Sequence, residues 1–308
     1  MIPLSSERSA FGRHETFPLR FGWLTKGFGA WCDRQSVFDE DDATVQLGVG
    51  NNMVSAIRYW MLASQVIAIK NRSLVATEIG NKLFGANGWD RYLEDDSTIW
   101  LVHWLIASNA AEATTPFWFF NRFHKTEFTS KEVKDALGEF VRQHFPQSRT
   151  SPSTLKSDVA LLLRMYEPSQ VSRAVPLEEA LDSPMALLGL MTLQEGSRTH
   201  ESRPDYRLRL PVSTFAFSVA ELFEATNERV LPIDRLLHSD GHMAAPGSVF
   251  RLTEECLVAK IEAMISWLPG RYELRHTGGI HQLYQLRPIR SMDVLGLHYA
   301  GTKARGGA

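Results

Sequence analysis

Between Val37 and Leu83 the apolar residues recur first at helical spacing, then at strand spacing, then at helical spacing again, with turn residues at each change. Ala43, Val45 and Leu47 give a short first helix its apolar side, and Asp39 to Asp42 lie where a helix N-terminus favours negative charge. Gly48-Val49-Gly50 breaks the period, which predicts a tight corner before a second helix starting at Asn51. The strand-like AIKNRSLV then reads as a brief hairpin, followed by a closing helix that ends near Leu83.

The second of these helices is the informative one. At about 100° per residue, Met53, Ala56, Ile57, Trp60, Met61 and Ser64 fall on one side, a core face. Asn51, Asn52, Ser55, Arg58, Tyr59 and Leu62 fall on the other. Asn matches the N6/N7 edge of adenine, Arg the O6/N7 edge of guanine, and Ser is adaptable. A recognition helix presents such side chains from its N-terminal half into the major groove. The plainer alternative has Asn51 capping the helix and Arg58 sitting in water.

The segment FGRHETFPLRFGWLTKGFGAW, Phe11 to Trp31, interleaves Arg13, His14, Arg20 and Lys26 with aromatic residues, a pattern able to track a phosphate backbone. Thr16 is expected to cap a helix, with Pro18 in its first turn. The plainer reading is a packed N-terminal helix with solvated charges. His14-Glu15 is a weak acid/base candidate, because adjacent residues on a helix do not face each other. FGRHETFPLRFGWLTKG, followed by DDATVQLGVGNNMVSAIRYWMLAS, resembles the bacterial family of domain of unknown function 4007, and the likeness extends over most of the chain. The resemblance implies a genomic setting beside DNA phosphorothioation genes: a cysteine desulfurase, a DndC-like sulfotransfer protein and a DndD-like ATPase. It carries no settled catalytic residues.

Trp89 to Phe123 is rich in Trp, Phe, Leu and Ile, with Trp100, His103, Trp104 and Ala107 on one helical face. It is expected to be a helical connector, with His103 and His124 as core or edge residues. Phe128 to Pro168 predicts a second, looser helix-turn-helix: Thr129 or Ser130 caps one helix, and another begins near Ser153 with Val159, Leu162, Leu163 and Tyr166 on its apolar side. Thr154, Lys156 and Arg164 are its candidate phosphate or base contacts. Pro176 to Pro211 suggests a hairpin made basic by Arg198, Arg203, Arg207 and Arg209. From Val212 onward come an amphipathic helix over Phe215 to Thr226, a short helix at Leu231 to Leu237, the helix LTEECLVAKIEAMISWL and a hairpin about Gly278-Gly279, the order of a winged helix. His276 and His281 flank that turn, and Asp240-Gly241 argues against a helical metal site at His238 and His242.

Composition narrows the classes. The 308 residues suffice for two or three domains, and 44% hydrophobic with 22% charged residues is ordinary for soluble globular protein. A net charge of −2 leaves any DNA contact to local patches. No apolar run has membrane-spanning length, the N-terminus lacks an apolar signal core, and Cys32 and Cys256 are far apart, so a reducing, cytoplasmic setting is expected. Phosphate-loop, dinucleotide and nucleophile-elbow motifs are absent. The acids at Asp39 to Asp42 are too close in sequence to converge on an ion.

The resulting expectation is a mainly α protein with small β-hairpins (α+β), built of tandem winged-helix or helix-turn-helix units. The units are 1–88, an aromatic connector 89–127, 128–175, a basic hairpin region 176–211, a C-terminal winged helix 212–300 and a mobile tail 301–308. The expected function is docking on double-stranded DNA to position a phosphorothioation complex, with no cofactor, metal or catalytic residues. The interface would comprise Asn51, Asn52, Ser55, Arg58, Tyr59, Arg72, Thr154, Lys156, Arg164, Arg20 and Lys26. Other expected partners are the three phosphorothioation proteins and a second copy of the chain. A regulator of the same locus, a metal-dependent nickase and a protein-only scaffold are the competing readings.

Overall fold

The computed structural model describes residues 1–168, 183–277 and 280–306, and the Gly278-Gly279 turn lies outside them. The helices are α1 (Trp23–Asp33), α2 (Ala43–Leu47), α3 (Asn51–Ala63), α4 (Glu78–Phe84), α5 (Asp96–Ala107), α6 (Thr114–Arg122), α7 (Ser130–His144) and α8 (Pro152–Tyr166). They continue with α9 (Val212–Thr226), α10 (Ile233–Leu237), α11 (Pro246–Val249), α12 (Glu254–Trp267) and α13 (Ser291–Gly306). The strands are β1 (Ile67–Lys70), β2 (Ser73–Ala76), β3 (Glu127–Phe128), β4 (Thr192–Leu193), β5 (His200–Glu201), β6 (Val230–Pro232), β7 (Tyr272–Thr277) and β8 (Ile280–Gln285). All strand pairs are antiparallel, in sheets ordered β1-β2, β3-β5-β4 and β6-β8-β7. The class is α+β.

The corner, hairpin and closing helix read from the sequence all form. Gly48 takes φ +59° at the end of α2, a left-handed turn that a side chain would strain. β1 and β2 pair from Ile67–Ala76 to Lys70–Ser73, and Asn71 and Arg72 both take positive φ. Two such residues in succession make the hairpin turn that matches strand twist. Thr129 closes a full capping box with Glu132 on α7. Ser151, rather than a residue near Ser153, caps α8, because Pro152 is tolerated in the first turn.

Three expectations need correction. Thr16 caps no helix: it takes φ +66°, and α1 begins only at Trp23, after Gly22 at φ +75°. The basic region from 176 onward is largely neutralised where it is described. Arg203 pairs with Glu127 and Glu201, Arg207 lies 3.8 Å from Asp205, and Arg209 lies 3.0 Å from Asp96. The helix starting at Ser291 runs past Gly301 to Gly306, anchored by buried Val294, Leu295 and Tyr299.

The stretch expected as a connector is the centre of the molecule. Every residue of α5 from Ser97 to Ala107 is buried, as is α6 from Thr114 to Asn121, and a helix apolar all round belongs in a core. One hydrophobic cluster runs through Leu19, Trp104, Leu162, Leu190 and Phe215, so the successive units share a core. Polar side chains pin it at several points. His103 donates from Nε2 to the Val249 carbonyl at 2.9 Å and accepts the Tyr166 hydroxyl at Nδ1 at 2.7 Å. Arg251 donates to the carbonyls of Phe119 and Phe123, each at 3.0 Å, and to Ser202. These are carbonyls of the last turn of α6 and just beyond it, where a helix end favours a cation.

Burial pushes the His103 imidazole down to about 3. An unfolded histidine takes up a proton near pH 6.5, whereas the folded one stays neutral, so stability falls as pH drops below that value. His103→Gln should flatten this acid limb in denaturant titrations at successive pH values; a limb unchanged in slope would assign the acid sensitivity to other groups. Arg251→Met should cost roughly 3 kcal/mol or more by equilibrium unfolding, because it leaves buried carbonyls without donors. A loss under 1 kcal/mol would show that other donors replace it.

Candidate nucleic-acid interface

The segment before α1 folds back on itself because one carboxylate collects its donors. Asp158 Oδ1 accepts the Gly12 amide at 2.9 Å and His14 Nε2 at 2.8 Å, while Oδ2 accepts the Thr115 hydroxyl at 2.9 Å. The Thr16 amide donates to His14 Nδ1 at 3.0 Å, which leaves the ring proton on Nε2. Left-handed backbone at Gly12, Glu15 and Thr16 makes this wrapping possible. Both His14 and Asp158 are buried. His14 also stands edge-on to Tyr59 of α3, with ring centres 6.1 Å apart. One loop therefore joins α3, α6 and α8.

The polar face of α3 is open at its N-terminal half and closed at the other. Asn51, Asn52 and Ser55 are exposed and Arg58 is half-buried. Tyr59 and Leu62, expected on that face, belong to the core. Burial, reinforced by the nearby Asp158 and Glu112 carboxylates, pushes the Tyr59 phenol far above its ordinary range. A helix starting at the molecular surface and ending beneath the N-terminal loop can show a groove its first two turns only.

The loop also brings Arg164 within reach of the Arg20 charge. Arg164 donates to the Thr16 carbonyl, and burial followed by the Arg20 charge lowers its pKa. Arg20 lies over the rings of Phe17 and Trp23, at 5.8 and 5.5 Å. Among the described residues no carboxylate pairs with Arg20, Lys26, Arg58, Arg72, Lys156 or Arg164, and the Arg58 Nε is buried without a partner. Neighbouring Arg8 and Arg13 differ, since both pair with Glu112.

Lys26, Arg72 and Lys156 are exposed on α1, the β1–β2 turn and α8. Thr154 is a packing residue instead. Its hydroxyl meets Ser151 Oγ at 2.9 Å, and its methyl lies where a Cβ on Gly12 would come within 2.8 Å. The acids at Asp39 to Asp42 do not converge, and Arg34 engages Glu40 and Asp42. Among the described residues no three His, Cys, Asp or Glu side chains are grouped to hold a metal ion. Asp240 accepts the His242 and Met243 amides in a turn, as Asp-Gly predicted.

Residues 11–299 match the family model described as protein of unknown function, DUF4007. The chain belongs to this family. The match takes in His14, Asp158 and the whole of α3. The fold is similar to the crystal structure of SspB, with 29% identity, a TM-score of 0.85 and coverage of 96% of this chain and 90% of that one. It is also similar to a magnesium-ion-bound crystal structure of SspB, at 29% identity, TM-score 0.83 and the same coverage. No curated protein matches the chain.

The His14–Asp158 pair escaped sequence reasoning, although two signals were present. Gly12, two residues before His14, marked a turn, and Asp158 interrupts the apolar side formed by Leu155, Val159 and Leu162. Asp158→Ala strands three donors at once and should cost about 3–5 kcal/mol in chemical denaturation. Asp158→Asn should cost less. Equal, small losses for both would show that the loop is held by its other contacts.

Proposed function

We propose that this protein is a DNA-binding subunit that docks on duplex DNA through its N-terminal helix-turn-helix, α2–α3, with the β1–β2 hairpin as its wing. The observation that carries the reading is a set of arginines with no carboxylate partner among the described residues, Arg20, Arg58 and Arg164, together with exposed Asn51, Asn52 and Ser55 on the first turns of α3. Guanidiniums without a carboxylate partner suit an anion, and a phosphodiester backbone supplies a row of them. The order α9-β6-α10-α11-α12-β7-β8, with sheet order β6-β8-β7, supports a second winged helix at the C-terminus. Its candidate recognition helix, α12, exposes Glu254, Glu255 and Glu262, which repel phosphate. The N-terminal unit is therefore the DNA reader. Resemblance to the family implies that the docked protein positions a phosphorothioation complex, with a cysteine desulfurase and DndC-like and DndD-like proteins as partners.

Arg20→Ala and Arg164→Ala should weaken binding to all duplexes alike, each flattening the salt dependence by about one charge in mobility-shift or anisotropy titrations. Asn51→Ala or Arg58→Ala should instead remove roughly 1–3 kcal/mol of preference for one sequence. If all four variants bind like the parent, with melting temperatures unchanged, DNA does not meet this face. Footprints confined to one promoter would favour the regulator of the locus.

A second reading, metal-dependent DNA nicking, is favoured by the likeness to a magnesium-ion-bound SspB. Supercoiled plasmid incubated with pure protein and Mg²⁺ or Mn²⁺ should then relax, and EDTA should stop it. Plasmid that stays supercoiled across a range of protein concentrations would leave docking as the role.

A further inference from the structure

On the side of α6 served by Arg251, a separate cleft of about 460 Å³ opens between the chain after α6 and the α10–α11 loop. Such a volume suits a small ligand. His124, His238, Ser202, Ser248, Thr126 and Arg251 supply its polar lining, and no carboxylate lines it. The Arg251 guanidinium is buried, and its hydrogen-bond partners are all neutral oxygens, so its charge is hydrated by dipoles but not neutralised. His124, His238 and Arg251 line the same cleft, and burial, followed by the nearby Arg251 charge, lowers the His124 pKa. The nearby acids are engaged elsewhere. Asp205 lies 3.8 Å from Arg207, and Asp240 accepts backbone amides of its own turn. The wall is rigid, since a Cβ on Gly247 would lie 2.6 Å from the Leu237 Cα.

We propose that this cleft binds a phosphate-bearing anion, held between His124 and His238 over the Arg251 guanidinium. A buried cation without a counter-ion, in a concave site lined by hydroxyls and imidazoles, is complementary to a compact anion with several acceptor oxygens. The anion has two sources, a free phosphate compound or the backbone of DNA. The site stands apart from the Arg20–Arg164 surface and does not depend on the DNA reading.

Calorimetric titration of the full chain with inorganic phosphate, at ionic strength held constant with NaCl, should show one saturable site. His124→Ala/His238→Ala should weaken it tenfold or more while leaving the phosphate-free melting temperature unchanged. Arg251 itself is left intact because its loss would unseat α6. Absence of saturable binding, or equal affinity in parent and double variant, would overturn the proposal. Displacement of phosphate by a short duplex would assign the anion to DNA, and displacement by a nucleoside monophosphate alone to a small ligand. Arg20→Ala/Arg164→Ala should keep phosphate binding, so failure of either proposal is distinguishable from failure of the other.

Discussion

Helices α5 and α6 are buried from Ser97 to Ala107 and from Thr114 to Asn121, and several of their polar side chains are satisfied from other parts of the chain. The imidazole of His103 is tied to α8 and α11, and the last turn of α6 is closed by a guanidinium that arrives from just after α11. Apolar packing alone tolerates sliding; these directional bonds do not. Much of the arrangement of the outer units follows, because the elements that supply the partners must sit where the central hairpin needs them.

The same economy operates at the N-terminal segment. One buried carboxylate, Asp158, fixes three donors from two distant stretches and makes a loop out of residues whose composition suggests a helix. Backbone strain at Glu15 and Thr16 is the cost of bringing the loop back over α8. That path covers the second half of α3 and leaves the first half open. It also carries the Thr16 carbonyl to the Arg164 guanidinium.

Charge is distributed with the same selectivity. A net charge of −2 conceals a contrast between arginines tied to acids, such as Arg203, Arg209 and Arg290, and Arg20, Arg58 and Arg164, which have no carboxylate partner among the described residues. A salt-bridged arginine at a surface contributes little stability and has little field left to attract an anion. The stretch near residue 200 is basic in sequence as well. Its carboxylate partners, Glu127 and Asp96, come from elsewhere in the chain.

Local elements were legible from the chain alone where short-range physics decides them. The Gly48–Gly50 corner, the β1–β2 hairpin, the Thr129 cap and the core side of α3 depend on backbone freedom, periodicity and neighbouring donors. Family membership was legible too, because the motifs carrying it are contiguous. Tertiary structure decided what lay between: that the aromatic stretch is the centre, that Tyr59 is core, that Thr154 packs under Gly12, and that His14 finds Asp158. Periodicity reports which side of a helix is apolar but not how far a neighbouring loop extends over its other side. Charge along a sequence likewise says nothing of the acid that folding brings beside it, since that partner is fixed only when distant segments meet.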